Sequence, residues 1–205
     1  MNCPLCKQKG KPFYKNEFFV CGNCSGLYKN RKDYIDVMAE MNRYKEHNND
    51  VSDIRYQKFV SPITTYVLAN FKPNHSGLDF GSGTAPVISK VLQDNGYNIH
   101  QFDPFFSNKV ELLKGTYDYI VSCEVIEHFH KPDEEFDLLH KILKSGGALI
   151  CMTLLYDENI DFKNWYYKND PTHVFIYRQE TIKFIADYYG FTNFEISNRL
   201  IILKS

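Results

Sequence analysis

Leu78-Asp79-Phe80-Gly81-Ser82-Gly83-Thr84-Ala85 reads as a strand handing over to a helix through a glycine-spaced turn. An apolar-then-acidic entry meets two glycines one residue apart. Gly81 and Gly83 carry no Cβ, so the backbone can turn tightly and a ligand can approach to contact distance. Taken alone, such a turn is common to many nucleotide-binding folds. The flanking chain decides what it holds.

Downstream of the turn, strands and helices alternate. Gly77–Phe80 is read as a strand, Ala85–Asn95 as a helix stopped by Gly96, and Asn98–Phe102 as a second strand closing on Asp103. Tyr117–Cys123 is a third strand. A helix is expected over Asp133–Lys144, ended by Gly146-Gly147, with Ala148–Leu155 as the next strand. Gln179–Tyr189 reads as a helix stopped by Gly190, and Phe191–Ile196 and Leu200–Leu203 as strands around Ser197-Asn198-Arg199. This pattern predicts an α/β fold: a Rossmann-like, mainly parallel sheet with helices on both faces and an antiparallel C-terminal edge. Upstream, Asp33–Met41 and Ser52–Phe71 show helical spacing, the second with Pro62 as a kink. Polar Asn42–Asp53, containing His47-Asn48-Asn49-Asp50, reads as a hinge.

The bulk numbers set limits. A chain of 205 residues suits one α/β domain plus a small appendage, and 43% hydrophobic with 24% charged residues is ordinary globular composition. Net charge of −1 gives no global pull toward nucleic acid or an anionic membrane. The 15 Tyr and 16 Phe imply a well-filled core and an aromatic-lined pocket. No run approaches the roughly 20 apolar residues of a membrane helix, and no secretion signal opens the chain, so no membrane partner and a cytoplasmic location are expected.

Cys3, Cys6, Cys21 and Cys24 form two Cys-x-x-Cys knuckles across a 14-residue spacer. That pattern brings four thiolates to the corners of a tetrahedron and predicts structural Zn²⁺ with a closed coordination sphere. Pro12–Val20 between them reads as a hairpin whose Phe13, Phe18 and Phe19 cap a small core of its own. The arrangement resembles the zinc ribbons. Residues 1–33 carry a local charge of +5, read as solubilising lysines or as a docking surface. Cys123 and Cys151 lie in apolar runs and read as core. The chain thus divides into a ribbon at 1–33, a helical linker or lid at 34–75, and a cofactor-binding domain at 76–205.

In a sheet of this kind the ligand lies across the carboxyl ends of the strands. Asp103, 22 residues past Gly81, is placed to accept two hydrogen bonds from a ribose diol. Leu78–Ala85, Asp103, Tyr117–His128 and Lys144–Leu149 together resemble, in order, the class I S-adenosylmethionine-dependent methyltransferases. The resemblance runs from Gly77 to the carboxyl end. It implies that Asp79, Gly81, Ser82 and Gly83 wrap the methionine part of S-adenosylmethionine, that Asp103 holds the ribose, and that Cys123, Glu124 and Val125 line the floor. Two departures stand out. Ala85 replaces a third glycine, and only 13 residues separate Asp103 from Tyr117. One helix is therefore expected to be missing or reduced to a turn, and the adenine contact falls to Phe105 or Phe106.

Methyl transfer asks the protein to position a nucleophile and, for a hydroxyl, to remove its proton. Glu124, Glu127 and His128 end the third strand, and Asp170-Pro171-Thr172-His173 follows, its His173 45 residues after His128. That pairing resembles both ubiquinone-pathway O-methyltransferases and small-RNA 2′-O-methyltransferases. His173 and His128 are the candidate catalytic residues, as base or substrate clamp; the RNA enzymes imply instead a second divalent metal at Glu124, Glu127, His128 and His173. His130 reads as a solvated loop residue. Phe162–Asp170, holding the only tryptophan, reads as the wall or lid of an acceptor pocket. Three readings stay open: methylation of a small-molecule acceptor such as a sugar or hydroxylated ring, methylation of RNA, and a non-catalytic binding protein.

Overall fold

The computed structural model describes residues 1–46 and 50–205; the hinge positions His47, Asn48 and Asn49 lie outside the described residues. Three short strands open the chain: β1 (Gly10–Tyr14), β2 (Phe18–Cys21) and β3 (Leu27–Lys29). Two helices follow. α1 (Val37–Lys45) starts where the Asp36 carboxylate accepts from the Ala39 amide at 2.9 Å, some four residues later than the helix expected at Asp33. α2 (Ile54–Asn70) is capped by Asp53 and runs through Pro62 as one element. The Lys58 carbonyl that Pro62 cannot serve accepts instead from the Ser61 hydroxyl at 2.7 Å.

The remaining elements are β4 (Ser76–Phe80), α3 (Val87–Asp94), β5 (Asn98–Phe102), β6 (Tyr117–Cys123), α4 (Pro132–Lys141), β7 (Leu143–Met152), β8 (Phe175–Ile176), α5 (Gln179–Tyr189), β9 (Asn193–Ser197) and β10 (Leu200–Lys204). Six of the strands form one sheet in the order β5-β4-β6-β7-β10-β9. β5, β4, β6 and β7 are parallel, and β10 runs antiparallel to both β7 and β9. This is the expected Rossmann-like sheet with its antiparallel edge. Alternate residues of β6 face opposite layers: Tyr119 and Val121 pack with α2 and α3, while Ile120 packs toward Phe136 and Leu139 of α4 and Ile182 of α5.

Between β5 and β6 only a short 3₁₀ turn, Val110–Lys114, replaces a full helix, and β5 is the sheet's edge. The tail of the α4 region differs from expectation. The helix ends at Lys141, and β7 begins at Leu143 and passes through Gly146-Gly147 as an irregularity in its pairing with β6. A Cβ on Gly147 would sit 2.7 Å from the Asp118 carbonyl, so the glycine pair marks close strand approach rather than a helix stop.

The amino-terminal strands do not stand apart. β8, from between Cys151 and α5, joins them as a fourth strand in the order β1-β2-β3-β8, with Leu27 opposite Ile176 and Tyr28 opposite Phe175. The expected private core of the hairpin is replaced by a shared one. Phe162 is buried against Phe13, Tyr14 and Phe18 at ring distances of 4.9, 5.5 and 5.3 Å. Cys3, Cys21, Cys24 and Tyr28 belong to the same buried cluster as Phe136 and Tyr177. Too few apolar side chains lie in the hairpin itself to bury one another, so Tyr156, Phe162 and Phe175 supply the rest.

Candidate active site

A cavity of about 1150 Å³ opens across the carboxyl ends of the parallel strands. Its floor begins at the glycine turn. Gly81 and Gly83 have φ of +82° and +65°, and both amide N–H groups of Gly81 and Ser82 donate to the Phe102 carbonyl at 2.8 and 3.1 Å. A Cβ on Gly81 would lie 2.5 Å from a Val125 methyl, whereas one on Gly83 would meet nothing within 4 Å. The turn therefore packs tightly on one side and leaves open space on the other, the shape a cofactor's close approach requires.

Asp103 lies in the cavity wall, with its Oδ1 accepting from the Phe105 and Phe106 amides and its Oδ2 from the Gly83 amide. A carboxylate has about four acceptor positions. Three are engaged, so one remains for a ligand hydroxyl, fewer than the two expected for a diol clamp. Phe105, Phe106, Leu113 and Leu138 surround this end and give it an apolar character. Asp79 sits deeper, buried, accepting from the Ser89 hydroxyl at 2.7 Å; burial pushes its carboxyl up to about 6. Cys123, Glu124 and Val125 line the floor, and burial pushes the Cys123 thiol well up, which makes it a poor nucleophile.

Glu124 stands at φ +52°, a conformation side-chain-bearing residues rarely adopt. Its carboxylate accepts from Arg199 Nη1 at 3.2 Å, and Arg199 Nη2 donates to the Tyr166 hydroxyl at 3.2 Å. Burial, then the neighbouring Glu127, raise the Glu124 carboxyl to about 7. Glu127 is fully buried and accepts from the Tyr167 hydroxyl at 2.6 Å and the Thr153 hydroxyl at 3.0 Å; burial raises it to about 7 as well.

His128 and His173 meet with ring centroids 4.8 Å apart. Nδ1 of His128 lies 3.0 Å from the Thr172 carbonyl, and Nδ1 of His173 lies 2.7 Å from the Tyr167 carbonyl. A carbonyl only accepts, so both Nδ1 atoms carry the proton and both Nε2 atoms present a lone pair. Burial lowers both imidazoles, and the His128 neighbour lowers His173 further, to about 4. The pair is neutral at pH 7. Ligand atoms of Glu127, His128 and His173 all lie within 4.8 Å of one another, while Glu124 is drawn off to Arg199.

The structure adds residues that sequence reasoning missed. α1 brings Glu40, Arg43 and Tyr44 into the cavity wall. Arg43 grips Asp170 Oδ2 with Nε at 3.2 Å and Nη2 at 2.8 Å, and Tyr44 donates to Glu40 at 2.7 Å while packing its ring edge on His128. Tyr56 and Phe59 of α2 and Arg199 of the β9–β10 turn complete the rim. Residues 34–75, which carry these side chains, read in the sequence only as a helical linker or lid, with no residue singled out. His130 lines the cavity too, 3.8 Å from Glu40, rather than facing solvent alone. Trp165 is half-buried against Tyr156, Phe162 and Tyr167; of that segment Tyr166, Tyr167, Asn169 and Asp170 reach the cavity.

Apart from this cavity, the four amino-terminal thiols converge: Cys3 and Cys24 Sγ are 3.6 Å apart and Cys6 and Cys21 Sγ 3.2 Å, and all six cysteines of the chain are free. Tetrahedral Zn²⁺ with Zn–S of about 2.3 Å needs sulfurs about 3.8 Å apart, so the donor set fits that ion.

A mainly parallel sheet with such a cavity at its carboxyl edge is the fold of the S-adenosylmethionine-dependent methyltransferases. It superposes on an Archaeoglobus fulgidus S-adenosylmethionine-dependent methyltransferase with a TM-score of 0.58 and 17% identity, covering 73% of this chain and 94% of that one. It also superposes on the magnesium protoporphyrin IX methyltransferase of Synechocystis, with a TM-score of 0.53, 15% identity and coverage of 85% and 95%. Residues 52–196 match the family model described as a methyltransferase domain, and the chain belongs to that family. Among curated proteins, the ubiquinone biosynthesis O-methyltransferase of Erwinia tasmaniensis is 26% identical over 103 residues. That match covers 50% of this chain and 41% of the enzyme's length. No helix among the described residues is long and apolar enough to cross a membrane.

Proposed function

We propose that the protein transfers the methyl group of S-adenosylmethionine to a hydroxyl of a small, polar acceptor, a sugar or hydroxylated ring. Bound in the cavity, the cofactor supplies an electrophilic methyl group. Gly81, Ser82 and Gly83 would receive its amino-acid end, Asp103 a ribose hydroxyl, and Cys123, Glu124 and Val125 the floor, with Phe105 and Phe106 beside the base. The superposed Synechocystis enzyme carries S-adenosylhomocysteine, which supports this placement of ligand to fold.

The observation that carries the acceptor half is the pair of neutral imidazoles. Each is fixed through Nδ1–H to a backbone carbonyl, so each Nε2 lone pair is held ready for an acceptor proton. A neutral pair also avoids repelling a cationic donor. Glu40, Arg43, Tyr44, Asn169 and Asp170 surround this end with hydrogen-bonding groups, a lining that suits a polyhydroxylated ring better than a long apolar tail. The name of the Erwinia relative records an O-methyl transfer, which agrees with a hydroxyl acceptor. Cys3, Cys6, Cys21 and Cys24 would hold structural Zn²⁺ and take no part in the chemistry.

A second reading has its own observation, the convergence of Glu127, His128 and His173 within 4.8 Å. A divalent cation there would bind the acceptor's oxygens, with the Nδ1–H bonds to carbonyls orienting the two imidazoles. RNA as acceptor is the weaker form of this reading. In the amino-terminal module Lys29 is half-buried and donates to the Pro171 carbonyl, while the exposed Lys7 pairs with Asp133. The test is incubation with S-adenosylmethionine and a panel of sugars, phenols and short RNAs, read by mass gain of 14 Da per methyl. Methylation of a sugar or phenol that His173→Asn abolishes is expected; methylation of RNA alone overturns the acceptor assignment.

A further inference from the structure

The loop Asp170–His173 is held from outside the methyltransferase sheet. β3 ends at Lys29, and this one residue contacts the loop on both sides of His173. Its backbone N–H donates to the Val174 carbonyl at 2.9 Å, and its Nζ donates to the Pro171 carbonyl at 3.0 Å. Val174 is thereby fixed from two directions, since its own amide donates to the Glu127 carbonyl at 3.0 Å. Lys29 is half-buried, and burial lowers its ammonium against the pull of Asp170, Asp33 and Glu17.

β3 is in turn fixed by what precedes it. Cys21 ends β2, Cys24 lies in the turn between the strands, and Tyr28 stacks between Phe19 and Phe175 at ring distances of 5.9 and 6.5 Å. The four-cysteine knuckle therefore sets the register of β3, β3 sets Lys29, and Lys29 sets the loop. Solubilising a separate module would require none of these contacts.

We propose that Lys29 is a positioning residue for methyl transfer, and that the amino-terminal cysteine module serves as an internal clamp that places His173 in the cavity. This rests on the reading of His173 as the acceptor-side proton acceptor. The loop has contacts of its own, the Asp170 carboxylate accepting from the Thr172 amide and hydroxyl and from Arg43. Those fix its amino-terminal half, and beside His173 the Thr172 carbonyl accepts from His128 Nδ1 at 3.0 Å and the His173 amide donates to the Asp170 carbonyl at 3.2 Å. Among the described residues, the Pro171 and Val174 carbonyls that flank His173 are bonded by Lys29.

The test compares the wild-type chain of 205 residues with Lys29→Met, which keeps most of the apolar stem, and Lys29→Arg, which keeps charge and donors. Amide exchange of His173 and Val174 and the ring ¹⁵N spectrum of His173 are recorded, with S-adenosylhomocysteine binding measured by calorimetry. In Lys29→Met the two amides should exchange about tenfold faster or more, as one lost hydrogen bond implies. The single Nδ1–H tautomer of His173 should give way to a mixture, while Ile120 and Ile150 in the central strands exchange as before. Lys29→Arg should restore both signals. Unchanged exchange and tautomer in Lys29→Met overturn the proposal, as does failure of Lys29→Arg to restore them. If wild type does not bind S-adenosylhomocysteine, the methyltransferase reading falls, a result separable from the loop's response to Lys29.

Discussion

His173 must stay neutral to fold, and that has a measurable cost in acid. Its imidazole is lowered from 6.5 to about 4, first by burial and then by His128. The unfolded chain therefore binds a proton as pH falls through about 6.5, while the folded chain does not until about 4. Stability is fully present above pH 6.5 and declines between those values. The gap of 6.5 − 4 = 2.5 units corresponds to about 3 kcal/mol in the limit, at about 1.4 kcal/mol per unit. At pH 5 the same two values give about 2 kcal/mol. The perturbation is His173→Asn, whose side-chain amide can still donate to the Tyr167 carbonyl but has no group that titrates here. Glu127, raised by burial, acts in the opposite sense but is present in both proteins and cancels in their difference. Urea unfolding of the two proteins from pH 7.5 to 5 should show wild type losing about 2 kcal/mol more than the variant. Parallel curves would refute the buried, neutral state of His173, and with it the held Nε2 lone pair.

Other perturbations test the remaining parts of the account. Gly81→Ala forces a Cβ to 2.5 Å from Val125 at φ +82°, so S-adenosylhomocysteine affinity should fall at least tenfold, and unchanged affinity would remove the turn from the binding site. Phe162→Ala takes away the ring that joins Phe13, Tyr14, Phe18 and Tyr156, and should cost about 3–5 kcal/mol in denaturant unfolding of the whole chain, whereas a loss under 1 kcal/mol would make the amino-terminal module a loose appendage. Elemental analysis should find one zinc per chain, lost in Cys24→Ser; a second divalent metal that disappears in His173→Asn would favour the cation reading at Glu127, His128 and His173.

Local chemistry made the central sheet readable. Asn98–Phe102, Tyr117–Cys123 and Gln179–Tyr189 have in the structure the limits their periodicity gives, because each is bounded by a residue that stops it, Gly190 at φ +83° being the plainest. Pairings made far along the chain leave no such mark. Nothing near Phe175-Ile176 announces a strand that completes a sheet begun at Gly10, and Phe162 looks like pocket lining until Phe18 is seen against it. The Glu124–Arg199 ion pair joins residues 75 positions apart and diverts a carboxylate that the resemblance to the RNA enzymes offers to a metal. The pairing of His128 with His173 was legible through the resemblance to the ubiquinone-pathway and small-RNA methyltransferases.

Calorimetric titration of S-adenosylhomocysteine into the wild-type chain tests the central claim most directly. One site per chain, with affinity retained in His173→Asn and lost in Gly81→Ala, is the predicted result. Absence of binding to wild type, or binding that Gly81→Ala leaves intact, would contradict it.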